Sequence, residues 1–297
     1  MGGAGPASAV SDPRIHHREV PAGLPDARQV MGRAGGENFP VASRLLGRRL
    51  RSSLMAIYGF ARLVDTAGDE ASGDRLGHLE WLDGEIDRMY EGEVPLHPLM
   101  ARLAPVVRDH RIPPEPLHRL VEANRMDQTV HSYARFEDLL EYCALSANPV
   151  GHMALHVFEA ATPDRVPLAD AICTGLQVTE HLQDVREDLA RGRVYLPADD
   201  LARYGCTEQD LRLAPSPERV RALVAFEVER ARELLRNGAP LIGRLGGRAA
   251  VAVWGFVSGG LAALLGIEQG GYGVAEEPPR PSITARIAAA LQATRAR

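Results

Sequence analysis

Two stretches of this chain place carboxylates where a helix would bury them, and they constrain the fold more than any other feature. The run LMAIYGFARLVDTAGDE, residues 54–70, is apolar nearly all round from Leu54 to Val64 and then carries Asp65 and Asp69. A helix that is hydrophobic on every side is normally buried. Tyr58, Arg62, Asp65 and Asp69 step along it by four, three and four residues and share one stripe. Ionised groups there are costly unless paired or metal-bound. An Arg62–Asp65 bridge is the purely structural account, and a bound cation is the functional one. The second stretch, QVTEHLQDVREDLARGRVYLP at 177–197, repeats the arrangement. Asp184 and Asp188 stand four apart in a helical segment, with Gln177, Glu180 and His181 on nearby positions. Gly192 breaks that helix, and Arg193 and Tyr195 follow, bringing a guanidinium and a phenol toward the same place.

An Asp pair at this spacing is weak evidence alone. The 17 Asp in 297 residues give about one such pair by chance. The third pair, Asp83/Asp87, lies in the mixed-charge segment EWLDGEIDRMYEGE and reads as a solvated helix face. The other two pairs suit a hard cation. Mg²⁺ takes oxygen ligands and is usually held by one or two carboxylates plus substrate phosphates. Two such helices facing each other across a cavity would hold Mg²⁺ ions, which would bind a diphosphate and draw it off as a leaving group.

No useful strand alternation, GxGxxG, P-loop or HExxH occurs, and no repeat period points to a solenoid. The expected architecture is all-α: one domain of helices around a central cavity. Residues 1–33, rich in Gly, Ala and Pro, read as a flexible extension, 34–275 as the catalytic domain and 276–297 as a tail. Net charge of −5 is spread out and gives no nucleic-acid signature. Cys143, Cys173 and Cys206 have no CxxC spacing, which fits a reducing cytoplasm. The uncharged run from Ala249 to Ile267 reaches the lower limit for a membrane span. Its many Gly and Ala residues favour a helix buried beside a bulky ligand. ITARIAAALQATRAR reads as a short basic helix able to lie on the inner membrane face. Arg44, Arg48, Arg49 and Arg51 form either a solvated face or a phosphate-attracting patch. In SANPVG (146–151), Pro149 predicts a kink. The carbonyl it frees and the Asn148 amide are an expected place to hold a water, although the kink can equally serve only to shape the cavity.

YGFARLVDTAGDE and QDVREDLARGRVYLP resemble the two signature regions of the squalene and phytoene synthase family, head-to-head prenyl transferases with an all-α isoprenoid-synthase fold and a Mg²⁺-diphosphate centre. The resemblance spans about Glu37 to Ser282. ENFPVASRLLGRRLRSSLMAIYGFARLVD and EYCALSANPVGHM are most similar to the hydroxysqualene synthases of bacterial hopanoid pathways, which ionise presqualene diphosphate and trap the cation with water. The resemblance implies metal binding by Asp65, Asp69, Asp184 and Asp188, and catalytic roles for Tyr58, Arg62, Tyr133, Arg193 and Tyr195. It implies substrate contacts by Gln177, Glu180 and Asp127, and by Asn38 and Phe39 from a lid. Thr66 stands where many members have a second acid, and Glu180 where many have Asn. Sister activities are condensation of two farnesyl diphosphates or synthesis of a carotenoid precursor. A non-catalytic helical protein is the reading from another class, disfavoured by both acidic pairs and their Arg and Tyr partners.

Overall fold

The computed structural model describes residues 19–32, 46–274 and 282–295. Among these the regular elements are helical, with only an isolated bridge between Ser132 and Val194. The buried run forms α2 (Arg48–Asp69), free of internal proline. Its fully buried Ile57, Phe60 and Leu63 each contribute about 1.5–3 kcal/mol by leaving water. Near its end the Thr66 hydroxyl donates to the Arg62 carbonyl at 2.6 Å. Thr66 is therefore spent on the helix backbone.

Around α2 pack α1 (Ala27–Met31), α3 (Arg75–Tyr90), α4 (Pro98–His110) and α5 (Glu115–Met126), forming one apolar cluster. A second cluster gathers α8 (Val166–Gln183), α11 (Glu218–Gly238) and α13 (Gly247–Gln269). Between them α6 (Phe136–Ser146) leads into α7 (Asn148–Val157), which serves both: Met153 and Val157 face the first cluster and Leu155 the second. The short α9 (Val185–Ala190), α10 (Ala198–Arg203) and α12 (Leu241–Arg244) complete the second half, and α14 (Ile283–Arg295) lies along α13.

Several expectations need correction. Residues 19–32 are folded against the body: Val30 is buried, and the Pro25 carbonyl lies 3.0 Å from His97 Nε2. The Gly- and Pro-rich composition concealed that α1 has an Asp26 cap, whose carboxylate accepts from two backbone N–H groups. Asp184 and Asp188 do not share one helix. Asp184 ends α8 and caps α9 with non-helical backbone. The proline at 149 sits in the first turn of α7, where its missing N–H costs little, so the kink is a junction of two helices at Ala147. Asp83 is not on a solvated face. It accepts from Arg125 at 3.0 Å and lies 2.5 Å from His118 Nδ1, tying α3 to α5. Among the described residues α13 alone is long and apolar enough to cross a membrane, yet 56% of that apolar stretch is buried inside the protein.

Candidate active site

Helix α2 presents its acidic stripe toward the segment that follows α9. Gly192 turns the chain with φ of 78°, a conformation that suits glycine, and the Arg193 N–H bonds the Asp188 carbonyl at 2.8 Å. From there Arg193 reaches across 124 positions of sequence to donate to Asp69 at 2.7 Å, and to the Asp127 carbonyl at 3.4 Å. Arg191 lies 3.9 Å from the other Asp69 oxygen. On α2 itself Arg62 stands 3.9 Å from Asp65, which also accepts from Asn124 at 3.3 Å. Gly68 makes room for that partner: a methyl group there would come within 2.6 Å of the Asn124 side-chain oxygen.

The second acidic pair is more deeply placed. Burial, then the charge of Asp184, pushes the Asp188 carboxyl up to about 7, and Arg191 and Arg193 only partly oppose this. Asp188 Oδ2 is buried with no hydrogen-bond partner. Burial likewise raises Asp184, with Glu187 adding to the effect. Asp127 follows α5; burial pushes it up to about 6 against the pull of Tyr142 and Arg193. Its Oδ2 accepts the Tyr142 hydroxyl at 2.9 Å, while Oδ1 is buried and unpartnered.

A wall of rings adjoins these acids. Val194 N–H donates to the His131 carbonyl at 2.8 Å and Ala198 N–H to that of Tyr133 at 2.9 Å. This pairing of two loops sets Tyr195 beside Tyr133, with ring centroids 6.0 Å apart, and 5.8 Å from Tyr142. His181 stacks on Tyr195 at 3.7 Å. Burial, reinforced by Arg193, holds the imidazole down at about 3, so it is neutral. Burial raises all three phenols, which are neutral donors. The Tyr133 hydroxyl is buried without a partner.

Next to this cluster, joined to it through Gln177 and His181 at 3.3 Å, lies a cavity of about 250 Å³. Tyr58 and Asp65 of α2 line it on one side and Gln177 and Glu180 of α8 on the other. The remaining wall is mostly Leu, Ile, Val, Ala and Phe from α2, α7, α8 and α13, including Leu176, Val253 and Phe256. The structure thus brings Tyr58, Asp65, Gln177 and Glu180 to one cavity, and Asp69, Asp127, Asp188, Arg193, Tyr133 and Tyr195 to the adjoining ring and ion-pair cluster. Asn38 and Phe39, like Arg44, lie outside the described residues. Asn148, expected at the cavity, is instead buried and accepts from Thr174 at 3.0 Å, clipping α7 to α8. Tyr142 and Asn124 are parts of the cluster that the sequence reading did not select, and it gave His181 no role there beyond a position near the second acidic pair. Tyr142 precedes Cys143 on α6, and nothing local in the sequence shows that its hydroxyl meets Asp127.

Among the described residues no group of three or more His, Cys, Asp or Glu side chains converges to hold a metal on protein ligands alone. Mg²⁺ does not require that, since it commonly takes one or two carboxylates and completes its shell with water and substrate phosphate. The buried, unpartnered oxygens of Asp188 and Asp127, together with the all-oxygen character of the neighbouring acids, fit such an ion.

The squalene/phytoene synthase family model matches residues 33–286. The hydroxysqualene synthase of Rhodopseudomonas palustris is 36% identical, over 69% of this chain and 70% of that protein. The 15-cis-phytoene synthase of Synechococcus elongatus is 30% identical over 84% and 85%. Among solved structures, squalene synthase HpnC from Alicyclobacillus acidocaldarius superposes with TM-score 0.76 at 39% identity, covering 83% of this chain and 93% of that one. A ligand-bound dehydrosqualene synthase shares the fold at TM-score 0.79 and 22% identity, over 91% and 94%. The helical bundle with its acid-lined cavity is that of the squalene/phytoene synthase family, to which this chain belongs.

Proposed function

We propose that this protein converts presqualene diphosphate and water to hydroxysqualene and diphosphate in a Mg²⁺-dependent reaction. The observation that carries the reading is the apolar cavity bordered by Asp65 and Glu180, next to a cluster of carboxylates and arginines. The Rhodopseudomonas relative's name supports the choice of product. Asp65, Asp69, Asp184 and Asp188 would hold Mg²⁺, which when bound neutralises the diphosphate and assists its departure as a Lewis acid. Arg62, Arg191 and Arg193 are the guanidinium donors that bind phosphate oxygens, for which their planar forks are suited. The C–O bond breaks with both electrons leaving on diphosphate. Tyr133, Tyr142 and Tyr195 offer π faces to the resulting cation. The hydrocarbon chains fill the apolar cavity and exclude bulk water, with Tyr58 and Gln177 at its polar edge. Water oxygen then bonds the cation and its proton passes to diphosphate or solvent. Asn38 and Phe39 are assigned to a lid over the diphosphate.

We place the enzyme in the cytoplasm, meeting the inner membrane face through α14. Ile287 and Leu291 of that helix are exposed one turn apart, with Arg286 and Arg295 on the same helix.

A second reading, condensation of two prenyl diphosphates, is favoured by the long match to a 15-cis-phytoene synthase. Incubation of purified protein and Mg²⁺ with presqualene, farnesyl or geranylgeranyl diphosphate, followed by mass spectrometry of the extract, decides between them. Hydroxysqualene from presqualene diphosphate supports the first reading, and C30 or C40 products formed only from the shorter substrates refute it.

A further inference from the structure

The arginines that open α2 have no part in the chemistry above. Arg48 and Arg49 are exposed, and about 26 Å of helix separates Arg48 from Asp65. Arg248, in the first turn of α13, is exposed at the same corner: a methyl group on Gly47, which caps α2, would come within 3.0 Å of its guanidinium carbon. One turn along α13 stands the exposed Val251, and one turn further Trp254 donates to the Thr294 hydroxyl at 3.1 Å. That bond sets the end of α14, with the exposed Arg295, beside the first half of α13. Helix α14 buries Ala289 and Ala293 completely, while Ile287 and Leu291, about 200° away around the same helix, are 57% and 53% exposed. Residues 282–297 include no Asp or Glu. Among the described residues no ion pair neutralises Arg48, Arg49, Arg248, Arg286 or Arg295, whereas the exposed Arg108, Arg135 and Arg191 each meet a carboxylate.

The chain as a whole carries a net charge of −5, so this basic corner is a local departure. The acids collect at the other end of α2, where Asp65 and Asp69 stand and Arg191 ties Asp69 to Glu187 of α9. A separation of about 26 Å exceeds the screening length of about 8 Å at physiological salt. An anionic surface can therefore attract one end of the molecule without repelling the other. A second copy of this chain, bringing the same arginines to the same face, would be repelled. The cavity is graded in the same sense. Leu54, fewer than two turns from Arg48, lines it together with Val253 and Phe256 of α13, whereas Asp65 and Glu180 stand at its polar edge.

Resting on the reading of α14 as the helix that meets the membrane, we propose that the docking surface extends beyond it to the starts of α2 and α13. Arg48, Arg49, Arg248 and Arg295 bind the headgroups of an anionic bilayer, while Val251, Ile287 and Leu291 enter the boundary between headgroups and acyl chains. Docking in this way sets the apolar wall of the cavity behind the lipid-facing surface and turns the acidic end toward water. The diphosphate, itself an anion, then departs on the side away from the anionic surface.

The test is co-sedimentation of the full chain with vesicles of phosphatidylcholine, alone or with about 30% phosphatidylglycerol to supply surface charge. Wild type should bind the anionic vesicles and lose that binding as salt rises. Each arginine removed should weaken binding about fivefold, so Arg48→Gln/Arg248→Gln should bind about 25-fold more weakly. The charge-matched pair Arg75→Gln/Arg186→Gln, at the acidic end, should stay within about twofold of wild type. Arg48→Lys/Arg248→Lys should keep most of the binding, because headgroups read charge. Ile287→Ser/Leu291→Ser should lose it at every salt concentration. Circular dichroism confirms that each variant is folded. Equal losses in the two Gln pairs, or wild-type binding by Arg48→Gln/Arg248→Gln, would overturn the arginine surface and leave α14 as the contact. If wild type binds neither vesicle, the membrane reading of α14 has failed first. If Ile287→Ser/Leu291→Ser instead converts a dimer to a monomer in light scattering, the face belongs to a second copy and the proposal falls. No substrate is present, so none of these outcomes depends on the product assignment.

Discussion

Replacing Asp188 by Asn should stabilise the metal-free protein while abolishing its turnover. The buried carboxyl is pushed from 3.8 up to about 7, chiefly by burial and next by Asp184. Each pKa unit corresponds to about 1.4 kcal/mol, so charging this group in the fold would cost about 4 kcal/mol at full strength. The side chain is only half-buried, and screening reduces the expected figure to about 2 kcal/mol. The sign follows from proton binding. Between about pH 4 and pH 7 the folded protein holds a proton that the unfolded chain has released, so stability falls as pH rises through that window. Asn is nearly isosteric and carries no charge. At pH 8 in EDTA, Asp188→Asn should therefore melt about 4–8 °C above wild type, and the advantage should shrink toward zero near pH 4. Thermal unfolding followed by circular dichroism at both pH values reads this directly. Adding Mg²⁺ with inorganic diphosphate should then raise the wild-type Tm more than that of the variant, because ligands stabilise the state that binds them. A variant that melts below wild type at pH 8, or a gap that does not depend on pH, would show that the charge is not the source of strain.

Asp65→Asn and Asp184→Asn should each lower kcat at least about 100-fold in a diphosphate-release assay. Asp83→Asn should keep its kcat but lose about 1–3 kcal/mol in urea unfolding, because the charge is removed and only one of Arg125 and His118 keeps an acceptor oxygen. Arg193→Lys should bind substrate more weakly and turn over more slowly, since an ammonium is a point charge and cannot present a planar fork to phosphate oxygens; wild-type kinetics in that variant would rule out a fork-like contact to diphosphate. Deleting residues 282–297 should strip cover from α13, where Ala289 and Ala293 are buried and Trp254 bonds Thr294. Its solubility should fall and dye binding to exposed apolar surface should rise, as measured by light scattering and fluorescence.

What the sequence made legible was helical period, and what it hid was where helices dock. The stripe Tyr58, Arg62, Asp65, Asp69 could be read because a single helix fixes the relation of those four residues, and α2 proved to be that helix. The same reasoning missed the break at Asp184 for a definite reason. The Asp184 N–H still bonds the Glu180 carbonyl at 3.0 Å, and the Asp188 N–H that of Asp184 at 2.8 Å. A one-residue bend that preserves both i→i−4 bonds leaves no trace in residue spacing, which is also why Asp184 and Asp188 stay close enough to influence each other. Long-range facts had no local signal at all. Nothing near Arg193 announces Asp69, and nothing near Tyr142 announces Asp127. The error at SANPVG is the most instructive. Its proline pointed to a freed carbonyl and, beside it, to the Asn148 amide as a place for a water, with a kink that only shapes the cavity as the alternative. Helix α7, however, docks on α8 through Asn148 and Thr174, and that contact engages the Asn148 side chain in the seam between the two helices. The chain breaks at Ala147 between α6 and α7, so what each side chain of the motif meets is set by how those two helices dock and not by the motif.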